Sequence, residues 1–199
     1  MNKPFSVDVI IPTYKPDEKL TKLVSALQKQ TYPIDHILVI NTEEQLWNPS
    51  LILDMNRVEI FHIKRSEFNH GATRRLGESF SNADILVYMT QDAVPADQGL
   101  IYYLLKEFQN PEVKAAYARQ LPDHDCGIIE SYTREFNYPA KSRIKNKEDL
   151  SELGIKTFFC SNVCAAYDHK TYKELGGFPK RAIFNEDMIY AGHLVQAGY

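Results

Sequence analysis

Near its start the chain reads Val7-Asp8-Val9-Ile10-Ile11-Pro12-Thr13-Tyr14. The β-branched run Val7–Ile11 is typical of a buried strand, and Pro12, which has no N–H for a sheet ladder, is expected to end it. Apolar residues then recur at helical spacing, at Leu20, Leu23, Val24 and Leu27. They predict an amphipathic helix over 17–30 with Asp17 as its N-cap. A strand followed directly by a helix is the first half of a βα unit.

The same alternation continues along the chain. Strands are predicted at His36–Ile40, Val58–Ile63, Ile85–Met89 and Val113–Arg119, and helices at Ala72–Ser81 and Gln98–Phe108. This order predicts an α/β fold, with a mainly parallel, twisted sheet flanked by helices in three α/β/α layers. Ligands of such a sheet bind beyond the carboxyl ends of its strands. The candidate segments are therefore Pro12–Lys15, Asn41–Glu44 and Thr90–Asp92.

The second half of the sequence is less regular, but it carries no linker that would divide it. Its predicted elements are a helix at 126–138, an exposed basic connection at 139–156, a strand at 157–166, a short helix at 168–175, and a last helix from Glu186 to Gln196 capped by Asn185. We therefore expect residues 1–199 to form a single domain.

Composition narrows the functional classes. The 199 residues are 44% hydrophobic and carry a formal net charge of −3, which gives no general electrostatic reason to bind nucleic acid. The sequence has no run of the ~18 apolar residues that a membrane-spanning helix needs, and no signal peptide is recognised. Three cysteines are too few for a disulfide framework. The residues around His124 fit a polar surface turn better than a metal site. A cytoplasmic protein is expected.

The turn after the first strand argues against three common α/β functions. Pro12-Thr13-Tyr14-Lys15 contains no glycine, so it matches neither the dinucleotide-binding Gly-x-Gly-x-x-Gly turn nor the phosphate-binding Gly-x-x-x-x-Gly-Lys loop. A sugar nucleotidyltransferase would carry a glycine-rich, basic loop at the same place. A nicotinamide enzyme, a nucleotide triphosphatase and a nucleotidyltransferase are all disfavoured.

Several polar groups have both a structural and a functional interpretation. Asp92 follows a buried strand, where it can bind a divalent cation or simply cap a turn. The carboxylates of Glu186 and Asp187 interact favourably with the helix dipole at the start of the last helix. One of two adjacent acids can also face a cleft as a general base. Arg74 can face a phosphate or lie on a solvated helix surface. Residue types alone leave these alternatives open.

Taken in order, these segments resemble the family 2 inverting glycosyltransferases, which have the GT-A fold. The resemblance rests on the first strand and its turn, the acidic turn that ends at Asp92, and Glu174-Leu175-Gly176-Gly177-Phe178 followed by Asn185-Glu186-Asp187. Finer patterns are similar to the bacterial rhamnosyltransferase-like branch, namely Phe68-Asn69-His70-Gly71, Thr90-Gln91-Asp92-Ala93 and Ser161-Asn162-Val163-Cys164-Ala165-Ala166-Tyr167. The resemblance covers essentially the whole chain.

The resemblance implies a nucleotide-sugar site at the strand ends. The residues expected to line it are Pro12, Thr13, Tyr14, Asn41, Arg74, Thr90, Gln91 and Asp92. Asn41 stands where the family usually has an Asp that contacts the base, and Thr90 replaces the first acid of an Asp-x-Asp motif. Asp92 would retain the role of holding Mg²⁺ or Mn²⁺ and the diphosphate.

The resemblance also implies the chemistry. Asp187 matches the catalytic base of the family's Glu-Asp pair, with Glu186 as its neighbour near the acceptor. The expected reaction moves rhamnose from dTDP-rhamnose, or another sugar from a UDP-sugar, to a glycan or lipid-linked acceptor of bacterial surface polysaccharide. Such an enzyme would act at the inner face of the membrane and could associate with it peripherally.

Two departures from the family pattern support further expectations. The family normally continues beyond Gly198-Tyr199 with another strand, so the chain is expected to be the N-terminal part of a longer protein. The replacements at Thr90 and Asn41 keep a second function open, that of a noncatalytic module that binds nucleotide or glycan.

Overall fold

The fold is built on one six-stranded sheet, seen in a computed structural model that describes residues 5–53, 55–122 and 126–199. Its strands are β1 Val7–Tyr14, β2 His36–Thr42, β3 Val58–Ile63, β4 Ile85–Met89, β5 Ala115–Tyr117 and β6 Cys164–Asp168. Their order is β3-β2-β1-β4-β6-β5, and β6 runs antiparallel to both of its neighbours. The first four strands are parallel, as predicted. His124 lies outside the described residues.

Helices cover both faces of this sheet. They are α1 Glu18–Gln28, α2 His70–Ser79, α3 Leu100–Glu107, α4 Ile128–Asn137, α5 Leu150–Leu153, α6 His169–Glu174 and α7 Glu186–Gln196. On one face α1 and α3 pack against Val9 and Val87. On the other face α2, α6 and α7 pack against Tyr88 and Tyr167. The three predicted α/β/α layers are confirmed, and no helix among the described residues is both long and apolar enough to cross a bilayer.

The predicted end of the first strand is wrong, because β1 continues through Pro12 to Tyr14. Its pairing with β4 stops at Ile10, whereas its pairing with β2 continues to the end of the strand. The backbone N–H of Tyr14 points towards the β4 side, so the nitrogen of Pro12, two residues earlier, faces that same side. A residue without an N–H is tolerated there because β4 supplies no partner.

The predicted strand over 157–166 is wrong in its first half. Residues Gly154–Phe158 form a 3-10 helix, and β6 begins only at Cys164. The polar residues Ser161 and Asn162 interrupt the apolar run, and their side chains bond to Gln120 and Glu186 in other parts of the fold. Tertiary hydrogen bonds therefore override the local strand pattern. The predicted exposed connection 139–156 also contains the short helix α5.

Candidate active site

The ends of β1, β2 and β4 meet at one edge of the sheet and are joined there by side chains. The hydroxyl of Thr13 donates to Oδ1 of Asn41 at 3.1 Å, which connects β1 to β2. The side-chain amide of Gln91 bonds twice to the backbone of Tyr14: it accepts from the N–H at 3.0 Å and donates to the carbonyl at 3.2 Å. The three predicted ligand-binding segments therefore adjoin one another at this edge, where Thr13 and Asn41 are buried.

Asn41 is a buried residue of this edge. Its side chain is fully buried, and its Nδ2 donates to the Glu43 carbonyl at 3.1 Å and lies 3.0 Å from Nδ1 of His62. Because Thr13 uses the amide oxygen, both ends of the Asn41 amide are engaged within the protein. The contact of Asn41 with a nucleotide base stays a prediction.

Tyr14 provides the exposed part of the same edge. Its side chain is 38% exposed, with the Lys15 ammonium 5.5 Å and the Arg65 guanidinium 5.8 Å from the ring centroid. An aromatic ring bordered by two cations suits a ligand that is both flat and anionic, such as a nucleotide. Sequence reasoning missed Arg65, because nothing in its local pattern places the 3-10 helix Arg65–Glu67 beside β1.

Asp92 lies at the surface in the turn that follows β4. The backbone of this turn is held by a 3.1 Å bond from the Ala93 N–H to the Thr90 carbonyl. No group of three or more His, Cys, Asp or Glu side chains among the described residues could hold a metal ion by itself. One exposed carboxylate nevertheless fits a hard cation such as Mg²⁺, which takes most of its oxygen ligands from water and a substrate's phosphates.

A second turn connects this edge to Asp187. The Thr90 N–H donates to the Val163 carbonyl at 3.2 Å, and the neighbouring Asn162 N–H donates to Oδ2 of Asp187 at 2.9 Å. The other oxygen, Oδ1, accepts from the Met188 N–H at 2.8 Å. Asp187 is thus held by two backbone groups at the start of α7, on the same edge of the sheet as Asp92.

Asp187 borders a cavity of about 470 Å³, whose lining also includes Glu130, Thr133 and Arg134 of α4. Burial raises the pKa of Asp187 above its ordinary value, and the nearby charge of Glu186 acts in the same direction. The N–H bonds from Asn162 and Met188 and the charge of Arg74 oppose this rise. A carboxylate with a raised pKa beside an open cavity is suited to accept a proton.

Glu186, although adjacent, has a different environment. Its Oε1 lies 3.1 Å from Nη1 of Arg74 and accepts from Nδ2 of Asn162 at 3.0 Å, and both charged side chains are about 5% exposed. The residues on either side, Asn185 and Asp187, border the cavity, whereas the Glu186 side chain is turned inwards. The placement of Glu186 near an acceptor and the contact of Arg74 with a nucleotide stay predictions; here the two residues bind each other.

Two details of the cavity could not be read from the sequence. Asn185 occupies the predicted N-cap position of α7, but its backbone is left-handed with φ of 62° and its side chain makes no capping hydrogen bond. Gln120, which also lines the cavity, bonds to Ser161 at 3.1 Å and also to Arg134 and Tyr138. This half-buried amide connects α4 to the segment before β6, yet it lies in no recognisable motif.

The outer side of α4 is apolar and exposed. Ile128, Ile129, Tyr132 and Phe136 have exposed fractions of 90%, 84%, 67% and 57%. The Lys156 ammonium lies 3.3 Å from the centroid of the Phe136 ring. The helix therefore presents polar residues to the cavity and apolar residues away from the protein, the reverse of an ordinary surface helix.

With this geometry in place, the chain can be compared with known proteins. Residues 8–176 match the family model for glycosyl transferase family 2. The chain belongs to this family. The match begins at Asp8, the second residue of β1, includes the Asp92 turn and the Asn162 turn, and ends before α7.

Two relatives share its sequence along nearly its whole length. The O-antigen chain rhamnosyltransferase RfbN of Salmonella typhimurium is 39% identical over 194 residues, which are 97% of this chain and 62% of that protein. The O-antigen chain rhamnosyltransferase WbaN of Salmonella anatum is 36% identical over 196 residues, 98% of this chain and 62% of that protein. The chain therefore spans less than two thirds of the length of these relatives.

The fold is shared with a solved glycosyltransferase. The mannosyltransferase PcManGT from Pyrobaculum calidifontis, solved with GDP-Man and Mn²⁺, superposes with a TM-score of 0.69 at 18% identity. The superposition covers the whole of this chain and 54% of that protein. At this identity the likeness concerns the fold alone, and it confirms the predicted GT-A architecture.

Proposed function

We propose that this chain carries the donor site and the general base of an inverting rhamnosyltransferase. It would move rhamnose from dTDP-rhamnose to a glycan or lipid-linked acceptor in bacterial O-antigen synthesis. The position of Asp187 carries the proposal: a carboxylate of raised pKa, held by two N–H groups, borders a cavity next to the nucleotide-binding edge. The two O-antigen rhamnosyltransferases that match the chain support the choice of sugar.

The proposed reaction is a single displacement. Asp187 takes the proton from an acceptor hydroxyl in the cavity, and the oxygen attacks the anomeric carbon from the face opposite the nucleoside diphosphate. The bond between that carbon and the diphosphate breaks, so the configuration at the carbon is inverted. Glu186 is less suited to this role in the observed arrangement, because its Oε1 contacts both Arg74 and Asn162.

The donor would lie along the edge formed by Thr13, Tyr14 and the Asp92 turn. Tyr14, with Lys15 and Arg65 beside it, offers a stacking surface and positive charge, while Gln91 keeps the Tyr14 backbone in place. Asp92 is the carboxylate that would hold Mg²⁺ or Mn²⁺ together with the diphosphate. Bound there, a divalent cation supplies charge stabilisation for the departing diphosphate.

The exposed apolar side of α4 supports peripheral association with a membrane. Isoleucines and amphipathic aromatic residues on one helix side are the composition of a helix that lies in the bilayer interface. The opposite side of α4 borders the cavity, so docking through α4 would bring the proposed acceptor site close to lipid-linked substrates. We propose that the enzyme acts at the inner face of the membrane.

Turnover by the full-length protein tests the proposal. Purified protein is incubated with an acceptor preparation and either dTDP-rhamnose or UDP-hexoses, and release of dTDP or UDP is measured. Transfer from dTDP-rhamnose is expected, whereas transfer from UDP-hexoses alone would contradict the choice of donor. Binding of dTDP without turnover of any donor would favour the noncatalytic module, for which Thr90 and the fully buried Asn41 are the supporting observations.

A further inference from the structure

We propose that Asn162 is a positioning residue that aims the Asp187 carboxylate into the cavity, and that Glu186 acts through Asn162 rather than on the substrate. This inference rests on the proposed function only in assigning the base to Asp187. Nothing in the family match or in the relatives' names assigns a role to Asn162.

Asn162 contacts both members of the acidic pair. Its backbone N–H donates to Oδ2 of Asp187 at 2.9 Å, and its side-chain Nδ2 donates to Oε1 of Glu186 at 3.0 Å. Its Oδ1 accepts from the hydroxyl of Tyr167 at 2.9 Å. Only 3% of Asn162 is exposed, so these partners replace water and fix the side chain.

Chemistry dictates the orientation of this amide. The Glu186 carboxylate can only accept, so the amide nitrogen must face it, and the amide oxygen must then face the Tyr167 hydroxyl. Arg74 holds the Glu186 carboxylate at 3.1 Å and neutralises it. The ion pair therefore anchors Asn162, and Asn162 in turn anchors the N–H that holds Asp187.

The turn that contains Asn162 also contacts the proposed donor side of the site. The carbonyl of Val163, next to Asn162, accepts from the Thr90 N–H at 3.2 Å, and Thr90 begins the turn that contains Asp92. When Asn162 is held in place, it fixes the position of Asp187, the proposed base, relative to the proposed diphosphate site. A displacement of about 1 Å at such a position is enough to reduce a rate by about 100-fold.

The first test is Asn162→Ala in the full-length protein. Because the variant loses both side-chain bonds but keeps its N–H, kcat should fall by about 10- to 100-fold while the KM for the donor changes less than about threefold. Asn56→Ala, at an exposed asparagine before β3, is the matched control and should retain wild-type kcat. A kcat for Asn162→Ala equal to that of the control would overturn the inference.

The second test reverses the hydrogen bond between Asn162 and Glu186, so that residue 186 donates and residue 162 accepts. Asn162→Asp alone places a carboxylate against Glu186 and should abolish most activity, since like charges then face each other. Adding Glu186→Gln restores a hydrogen bond of reversed polarity and keeps one negative charge opposite Arg74. The double variant should be at least tenfold more active than Asn162→Asp alone. If Glu186 acts directly on substrate, the double variant stays as inactive as Glu186→Gln, which would refute the inference.

A third measurement does not depend on turnover. The carboxyl-carbon NMR signal of Asp187 is titrated in the wild type, in Asn162→Ala and in Asn56→Ala. The groups around Asp187 are Glu186 on its own helix, Arg74 on α2, Arg134, Glu130 and Tyr138 on or next to α4, and Cys160 and Tyr167 near β6. The Asn162 N–H stabilises the Asp187 carboxylate. Weakening of this bond in Asn162→Ala should therefore raise the pKa of Asp187, whereas Asn56→Ala should leave it unchanged.

The NMR result separates the two proposals. If the wild type transfers no sugar but the Asp187 midpoint rises in Asn162→Ala, the proposed function fails and the positioning role stands. An Asp187 midpoint that is the same in Asn162→Ala as in the wild type would overturn the positioning role whatever the activity.

Discussion

Gln91 and Tyr14 continue the pairing of β1 with β4 beyond the last residues that the two strands pair directly. The Gln91 amide accepts from the Tyr14 N–H at 3.0 Å and donates to the Tyr14 carbonyl at 3.2 Å. A side chain thus supplies the donor and acceptor that a strand residue would otherwise offer, while the β4 backbone turns away towards Asp92. The two bonds hold the Tyr14 backbone, from which the ring extends, and they do so without closing the edge of the sheet.

Gln91→Ala should weaken nucleotide binding. Two hydrogen bonds are lost, each contributing about 0.5–1.5 kcal/mol and together at least about 1 kcal/mol, so the Kd for dTDP should rise by at least about fivefold. Calorimetric titration of the full-length protein measures this, with Gln109→Ala, at an exposed glutamine after α3, as the control. Equal affinities of the two variants would show that the Tyr14 backbone does not need this support.

Arg74→Met should destabilise the fold strongly. The substitution leaves the Glu186 carboxylate buried without its cation, and loss of one partner from a buried pair lowers the free energy of unfolding by about 3–5 kcal/mol. Urea unfolding measures the change. Glu174→Ala breaks the exposed Lys170–Glu174 pair, whose atoms are 3.9 Å apart, and should change the stability by less than about 1 kcal/mol. Comparable losses in both variants would contradict a buried structural role for Arg74.

Asp92→Ala should abolish the effect of metal on nucleotide binding. In the wild type, dTDP with Mg²⁺ or Mn²⁺ at about 100 times its Kd should add about 2.7 kcal/mol of stability, visible as a rise in Tm. Chelation of the metal should remove most of that rise, and Asp92→Ala should behave like the chelated wild type. Asp97→Ala, at an exposed aspartate five positions along the chain, is the control. A metal-dependent rise that survives in Asp92→Ala would place the cation elsewhere.

Ile129→Asp in α4 should reduce binding to lipid vesicles. A carboxylate on the exposed apolar side of this helix opposes burial in the bilayer interface, so sedimentation with anionic vesicles should fall several-fold. Tyr103→Asp changes a residue of α3 that is 62% exposed, on the helix that packs beside α1, and should bind as the wild type does. Vesicle binding that is unchanged in Ile129→Asp would exclude α4 as the docking surface.

Much of the fold could be predicted from the sequence because its elements follow local rules. The strands Val58–Ile63 and Ile85–Met89 and the helix Glu186–Gln196 have the predicted bounds, and Asp17 caps α1 by accepting from the Lys19 N–H at 2.9 Å. Each of these is set by residue pattern and capping chemistry within a few positions.

The remaining features depend on contacts between distant segments. Pro12 lies inside β1 because β4 ends its pairing early, and the run after Thr157 leaves the strand conformation because Asn162 bonds to a helix some 24 positions later. The opposite environments of Glu186 and Asp187 have the same origin. Adjacent acids at a helix start look alike in sequence, and only Arg74, contributed by α2, buries one of them.

The Asp187→Asn variant shows whether Asp187 is the proton acceptor of a sugar transfer. The kcat of the full-length variant with dTDP-rhamnose is compared with that of the wild type, alongside the Kd for dTDP with Mg²⁺. We expect kcat to fall by at least about 100-fold while the Kd changes little, because the general base is lost and the donor edge is intact. Wild-type turnover in Asp187→Asn would rule out Asp187 as the general base.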